Sequence, residues 1–327
     1  MGYGLCSQAV VGLRANDCTL MVPKVDDCIA IFLGSEGTYK AQFVPGFQEN
    51  REQNLRIIGE KINGTHQRVA QAIEEHNAAF IRGLAAKQAE AGAAWLDVNA
   101  GTHPSRESDD LTWLVETIQP VVQVPLCLDS ANPQALATAI QVVERTPMIN
   151  SISGEPQRLE GILPLVAEHG CSVIALAMDD KGIPETCERR MEVVRKVMEA
   201  ARASGVPDGN VYIDPLAMTL ATNTDSALIT LDTMRAIRRE FPDAHLTMGL
   251  SNISFGLPAR SYINRVFLTL ALAAGLDSAI LDPLDREMKA ALVAAELVLG
   301  HDRHCLNYTR AYRAGLFNGP GAKASHE

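Results

Sequence analysis

Residues 171–215 read CSVIALAMDDKGIPETCERRMEVVRKVMEAARASGVPDGNVYIDP, and this stretch decides the fold. It opens on a continuous aliphatic run, CSVIALAM (171–178), of the kind that a parallel strand buried on both faces requires. Over 185–204, Met191, Val194, Val197, Met198 and Ala201 recur at spacings of three and four, which makes one helix face apolar. Gly205 then stops the helix, as glycine does where the chain must turn left-handed. A second short apolar run, NVYIDP (210–215), follows. Strand, covering helix and strand in that order make a crossover between parallel neighbours.

The same period runs outward in both directions. LRIIGE (55–60), AAWLDVN (93–99), VPLCLDS (124–130) and TPMINS (146–151) precede the stretch, and HLTMGLSN (245–252) and DSAILDP (277–283) follow it. Each is short, aliphatic or β-branched, and bounded by turn residues. Helical patterns separate them. Around 65–91, Val69, Ile73, Ile81, Leu84 and Gln88 keep the helical spacing, with a break at His76-Asn77. Asn132-Pro133 and Glu155-Pro156 set proline at helix starts, where its missing N–H costs nothing. Gly92, Gly170 and Gly275 fall just past helical patterns. Eight βα units in about 250 residues are the arithmetic of a (β/α)8 TIM barrel. A doubly wound open sheet is the runner-up, but no GxGxxG follows the first strand.

The barrel period covers residues 55–315, with 316–327 as a C-terminal tail. Residues 1–54 differ: they hold three cysteines and a Gly/Pro-punctuated stretch ending QFVPGFQENREQN. They read as a loosely ordered extension or a consequence of start-site choice, since Met21 offers an internal start. A small β-rich subdomain is the alternative.

Composition narrows the function. The chain has 327 residues, and 39 acidic against 29 basic side chains leave a net charge of −10. That balance disfavours a nucleic-acid surface, which needs clustered Lys and Arg. At 47% hydrophobic and 21% charged, the chain can bury a sizeable core. No apolar run reaches membrane-span length, and the N-terminus lacks a signal peptide's pattern. The seven cysteines are scattered without a CxxC pair, so neither a disulfide framework nor a zinc cage is expected. Cys127 and Cys171 lie in strand-like runs and read as buried, inert thiols. A soluble protein of a reducing, cytoplasmic compartment follows.

In a TIM barrel the active site lies where the strands end. Those ends read Glu60 with Asn63, Asp97 with Asn99, Asp129, Asn150, Met178 with Asp179, Asp214, Asn252 and Asp282. The ring is rich in carboxylates and carboxamides and poor in Lys, His and Ser nucleophiles. The competing reading is that these residues cap the following helices, since Asp and Asn are favoured N-caps. As a site, the ring suits a flat, nitrogen-rich heterocycle, because carboxylates accept N–H bonds and Asn meets either partner. It holds no His/Asp array for a metal and no basic cluster for phosphate. His66, His76, His103, His169 and His245 are spread along helices and loops, where solvated or helix-capping roles are expected. The segment HDRHC (301–305) has no standard ligand spacing and reads as surface.

Six strings on these strand ends carry a resemblance: IIGEKING (57–64), DVNAG (97–101), LCLDSANP (126–133), MINSISGE (148–155), YIDPL (212–216) and GLSNISFGLPARSYINRVFL (249–268). Together they resemble the methyltetrahydrofolate:corrinoid protein methyltransferases. These are pterin-binding barrels related to the folate module of cobalamin-dependent methionine synthase and, more distantly, to dihydropteroate synthase. The likeness runs from about residue 55 to about 315. It implies that Asp129, Asn150 and Asp214 bond the pterin's amino-pyrimidinone edge and that Asn252 reaches N5, where the methyl departs. It also implies that Arg260 belongs to the pterin site, with Glu60 and Asn99 lining the cavity. Phe255 stands where some acetogen-type members carry Gln, which points to a different subgroup.

The resemblance further implies methyltetrahydrofolate or tetrahydrofolate as substrate, cobalamin carried by a separate corrinoid protein, and a homodimer. No nucleic acid or membrane partner and no protein-bound metal are implied. Cob(I)alamin is itself the nucleophile, which explains why the ring offers none. Two other readings compete. A dihydropteroate-synthase-like condensing enzyme would need Lys and Arg on the last strands, and HLTMGLSN lacks that Lys. A non-catalytic pterin-binding subunit would show no methyl transfer.

Overall fold

The computed structural model describes residues 55–317. The extension read at 1–54 and residues 318–327 of the tail lie outside them. Eight parallel strands form one sheet: β1 (Arg56–Asn63), β2 (Trp95–Asn99), β3 (Leu126–Asp129), β4 (Met148–Ser153), β5 (Ser172–Leu176), β6 (Val211–Asp214), β7 (His245–Leu246) and β8 (Ser278–Leu281). Neighbours follow chain order from β1 to β7, and β8 pairs with β1. The ring closes through a parallel bridge between Gly249 and Ile280, with Ile280 N donating to Met248 O at 2.9 Å. The eight strands are those expected from the apolar runs, and the fold is a (β/α)8 barrel.

The helices lie around the sheet as α1 (Gln67–Glu74), α2 (Ala78–Glu90), α3 (Pro104–Ile118), α4 (Pro133–Ala139), α5 (Pro156–His169), α6 (Cys187–Ala203), α7 (Ser226–Glu240), α8 (Arg260–Ala273), α9 (Arg286–Val298) and α10 (Leu306–Arg313). All five apolar positions of the 185–204 pattern are buried on α6. Prolines 133 and 156 open α4 and α5, and Asn132 caps α4 by accepting from Gln134 N. Gly170, which ends α5, takes φ +62°, a value that a side chain there would strain.

Strand alternation builds two layers inside the barrel. Ile58, Cys127, Met148, Ile174 and Tyr212, with Trp95, Leu176 and Ile280 against them, form an apolar plug separate from the larger core under the helices. Two residues further along the same strands stand Glu60, Asp97, Asp129, Asn150, Asp214 and Asp282. The polar ring is therefore the next inward layer of the barrel. Cys127, within the plug, has its thiol held well above the usual range by burial and by the nearby Asp97 and Asp129. Burial pushes the Cys171 thiol up to about 11.

The opposite end of the barrel corrects one expectation. His245 is not a solvated or capping histidine. It stacks on Tyr212, with ring centroids 4.5 Å apart, and its Nδ1 lies 2.8 Å from Asp277 Oδ2. Arg238 donates to the same carboxylate at 2.7 Å, and the Arg56 guanidinium sits 5.2 Å over the Tyr212 ring. Burial favours the neutral form of Asp277, but the His245 hydrogen bond and the Arg238 charge hold the carboxyl below its ordinary range. The other histidines fit better: His66 stands at the start of α1, and His103 caps α3 by accepting from Ser105 N.

The loops after β1 and β2 meet backbone to backbone. Gly64 N donates to Asn99 O at 2.8 Å, and a Cβ on Gly64 would stand 1.8 Å from Ala100 O. Gly64→Ala must therefore force apart the two loops that follow Asn63 and Asn99. Overpacking of this kind costs about 1–3 kcal/mol. The expected result is a lowered thermal midpoint by circular dichroism, and an unchanged midpoint would show that the loops separate freely.

Candidate active site

The ring residues bond one another across strands. Asn99 Nδ2 on β2 donates to Asp129 Oδ2 on β3 at 2.8 Å, and Asn150 Nδ2 on β4 donates to Asp97 Oδ1 at 3.1 Å. The caps of α1 to α9 are other residues, His66, Asn77, His103, Asn132, Glu155, Thr186, Asp225, Ala259 and Asp285, so the capping reading of the ring fails. Some members do make short local turns: Asp214 Oδ1 accepts from Leu216 N at 2.7 Å and Asp282 Oδ1 from Leu284 N at 2.9 Å. Register shifts interrupt β1 between Gly59 and Ile62 and β4 between Asn150 and Ile152. Both fall beside the ring, where bulges re-aim side chains.

Enclosure sets the charge of these carboxyls. Burial, with Asp129 close by, pushes Asp97 well above the usual carboxylate range. Burial also raises Asp129, against the opposing bond from Asn99. Asp214 is pushed up to about 6 by burial, although the N–H groups of Leu216 and Gly249 favour its charge. Glu60 is raised by burial, with Lys61 the largest opposing influence.

Asn252 requires a correction of place. HLTMGLSN is not one strand to Asn252: β7 ends at Leu246, and Leu250–Ser254 is a 3-10 helix. Leu250 and Ile253 are both buried, and their spacing of three is met by a 3-10 turn and not by strand alternation. Asn252 is exposed on that turn, beyond the end of the strand. Arg260 begins α8 and ties the turn down, donating from Nη2 to Ser251 O at 2.7 Å and from Nε to Ser254 Oγ at 3.0 Å.

Two residues, Lys61 and Arg190, escaped the sequence reading, and a third, Asp97, was read as a member of the ring but without its partner. Asp97 is the buried partner that fixes Asn150, and strand alternation in WLDVN already put it on the same face as Asn99. Lys61, in a ring expected to be poor in lysine, pairs with Asp282 across β1 and β8 at 2.6 Å. The bulge in β1 brings it there, with Lys61 N held by Gln88 Oε1 at 3.0 Å. Arg190 on α6 is buried, and its Nη1 donates to Pro215 O at 2.7 Å and Leu216 O at 2.8 Å. It pins the turn that follows Asp214, where Leu216 adopts φ +65°. Only its polar character within an apolar helix face could have signalled it. Among the described residues, no group of three or more His, Cys, Asp or Glu is placed to hold a metal ion. Likewise, no described helix is long and apolar enough to cross a membrane.

Comparison with known proteins agrees with this geometry. Residues 59–282 match the model of the pterin binding enzyme family, and residues 1–46 match a protein family of unknown function. The chain is 41% identical over 269 residues to the methylcorrinoid:tetrahydrofolate methyltransferase of Eubacterium limosum, which covers 82% of this chain and 99% of that protein. It is 29% identical over 299 residues to the methionine synthase of Mycobacterium tuberculosis, of which it spans 25%. Dihydropteroate synthases share the fold. That of Yersinia pestis superposes with a TM-score of 0.58 at 16% identity, over 77% of this chain and 96% of the other. That of Coxiella burnetii, solved with pteroic acid, gives a TM-score of 0.58 at 16% identity over 76% and 94%. The strand-end ring, the family match across the barrel and the near full-length relative agree: the chain belongs to the pterin-binding enzymes, in the methyltetrahydrofolate:corrinoid protein methyltransferase family.

Proposed function

We propose that this protein moves a methyl group between N5 of tetrahydrofolate and the cobalt of a corrinoid carried by a partner protein. One observation carries the reading. Asp129, Asn150 and Asp214 form a polar layer above an apolar plug, and Asn252 stands exposed on the turn that caps this end of the barrel. The pterin edge presents N–H donors to carboxylates and both polarities to a carboxamide. Asn99 steadies Asp129. The bond from Asn150 Nδ2 to Asp97 leaves the Asn150 oxygen to accept from the ligand. Glu60 and Asn99 line the cavity, and Arg260 holds the turn that bears Asn252. The name of the Eubacterium limosum relative contains both reactants and supports the same reading. Residues 55–315 are the functional unit in this proposal.

The chemistry needs little from the chain beyond placement. When methyl leaves folate, cobalt(I) attacks the methyl carbon, the C–N5 bond breaks and N5 keeps its electron pair. A tertiary amine leaves poorly, so N5 must first gain a proton. Asn252 cannot supply one, but its carbonyl can accept a hydrogen bond from the protonated N5 and favour that state. Positioning the pterin with its methyl outward does the rest. The open end of the barrel must admit the corrinoid protein. A homodimer would cover the exposed Tyr262, Val266 and Leu270, spaced four apart along α8. The free thiols at Cys127, Cys171, Cys187 and Cys305 suit a cytoplasmic location.

The test is single-turnover transfer from methyltetrahydrofolate to free cob(I)alamin, followed by absorbance. Transfer no faster than the uncatalysed reaction, with pterin binding intact, would reduce the protein to a pterin-binding subunit.

Binding should also depend on pH. Ligand N–H donors favour ionised Asp214, whose carboxyl sits at about 6 in the empty barrel. Affinity for methyltetrahydrofolate should therefore be flat above that pH and fall about tenfold per unit below it. Stability of the empty barrel runs the other way. The raised group favours folding below its ordinary pKa, and this contribution fades as pH rises through about 6. Isothermal titration from pH 5 to 8 on the native protein and on Asp214→Asn checks the assignment. An unchanged slope in the variant would point to another group.

A further inference from the structure

Phe255 lies three residues after Asn252, and its N–H donates to Asn252 O at 3.2 Å. Phe255 is the residue that ends the Leu250–Ser254 turn, and with φ −56° and its N–H closing the last i to i+3 bond on Asn252 its side chain leaves on the Asn252 side. Phe255 is 67% exposed but not loose. The Arg260 guanidinium lies 5.7 Å from the ring centroid, and that guanidinium is itself held by Ser251 O and Ser254 Oγ. From the loop after β6, Thr219 Oγ1 donates to Phe255 O at 2.5 Å and Leu220 N to Ile253 O at 2.9 Å. Two loops and one arginine thus fix an aromatic ring with its other face open.

The rest rests on the proposed function, which puts N5 beside Asn252. In a tetrahydropterin, N5 is bonded to C6, and C6 bears the aminobenzoyl-glutamate tail of folate. A ring on the Asn252 side, one 3-10 turn further out, meets the first part of that tail. We propose that Phe255 is a specificity residue whose free face stacks on the aminobenzoyl ring, so that the site selects folates over pterins without a tail. A rigid aromatic suits this task, because stacking needs area and orientation and few rotamers need be frozen.

The experiment compares two donors by isothermal titration. Methyltetrahydrofolate carries the tail, whereas 5,6-dimethyltetrahydropterin keeps the pterin and the N5 methyl but ends at C6. Phe255→Ala should weaken methyltetrahydrofolate binding about tenfold, the scale of one aromatic pair. The tail-less donor should bind within about twofold of the native protein, and Phe255→Tyr should restore the preference. Equal weakening of both donors would overturn the proposal, because Phe255 would then shape the pterin pocket. No weakening of either would overturn it as well, and a raised KM for the corrinoid protein in that case would reassign the ring to the partner. If the native protein binds neither donor, the pterin reading itself fails, a result distinct from the others.

Discussion

Asn252→Ala should lower the single-turnover rate of methyl transfer by about a hundredfold or more, the usual cost of one preorganised contact to developing charge. The effect belongs in the chemical step. In the proposed mechanism a hydrogen bond between Asn252 and N5 would strengthen as N5 gains its proton, and so would lower the transition state more than the bound ground state. Folding should be spared, because Asn252 is exposed on a turn whose anchors are Leu250, Ile253 and the Arg260 guanidinium. Some loss of pterin affinity should accompany the change, since in the proposed mechanism the same side chain would touch the ground state. The measurement is transfer from saturating methyltetrahydrofolate to cob(I)alamin, with the thermal midpoint as control. A variant that turns over within about threefold of the parent would remove Asn252 from the mechanism.

Asp129→Ala and Asp214→Ala should each weaken methyltetrahydrofolate binding by roughly 2–3 kcal/mol, the penalty for a buried ligand N–H that loses a charged acceptor. The two variants differ in their side effects. Removing Asp129 leaves Asn99 Nδ2 without its acceptor, whereas removing Asp214 leaves Leu216 N without one. Both carboxyls are raised by burial, so each deletion also relieves a desolvation cost in the empty barrel. The empty variants should be no less stable than the parent at neutral pH, although their ligand affinity collapses. Near-native affinity in both would mean that the pterin edge is read elsewhere.

Much of this architecture is legible without coordinates because it rests on short periods. The repeat of three and four in 185–204 needs only the helix to place Met191 and Val194 on one face. Proline at 133 and 156 and glycine at 170 act through their own backbone preferences, so helix limits follow from single residues. Alternation does the same for the barrel's inner layers. A residue two places beyond Ile58, Cys127, Met148 or Tyr212 must face the axis, and each such residue is Glu, Asp or Asn. The resemblance rests on those same positions, which is why strand-end motifs name a family while helix surfaces do not.

What periodicity could not supply is the partner each polar group finds. Asn150 meets Asp97 from 53 positions away, and Lys61 meets Asp282 only because β8 closes against β1. Arg190 reaches the turn after Asp214 only when α6 lies over β6. His245 becomes an ion-paired, stacked residue because four distant side chains converge at the far end of the barrel. The same holds where local and tertiary demands conflict. HLTMGLSN alternates like a strand, yet burying both Leu250 and Ile253 draws the chain into a 3-10 turn and carries Asn252 off the strand. The sequence by itself determined the elements, the barrel and the inward ring, since these depend on neighbours within a few positions. Barrel closure decided which groups are paired, charged or open to a ligand, because hydrogen bonding and desolvation depend on distance in space and not along the chain.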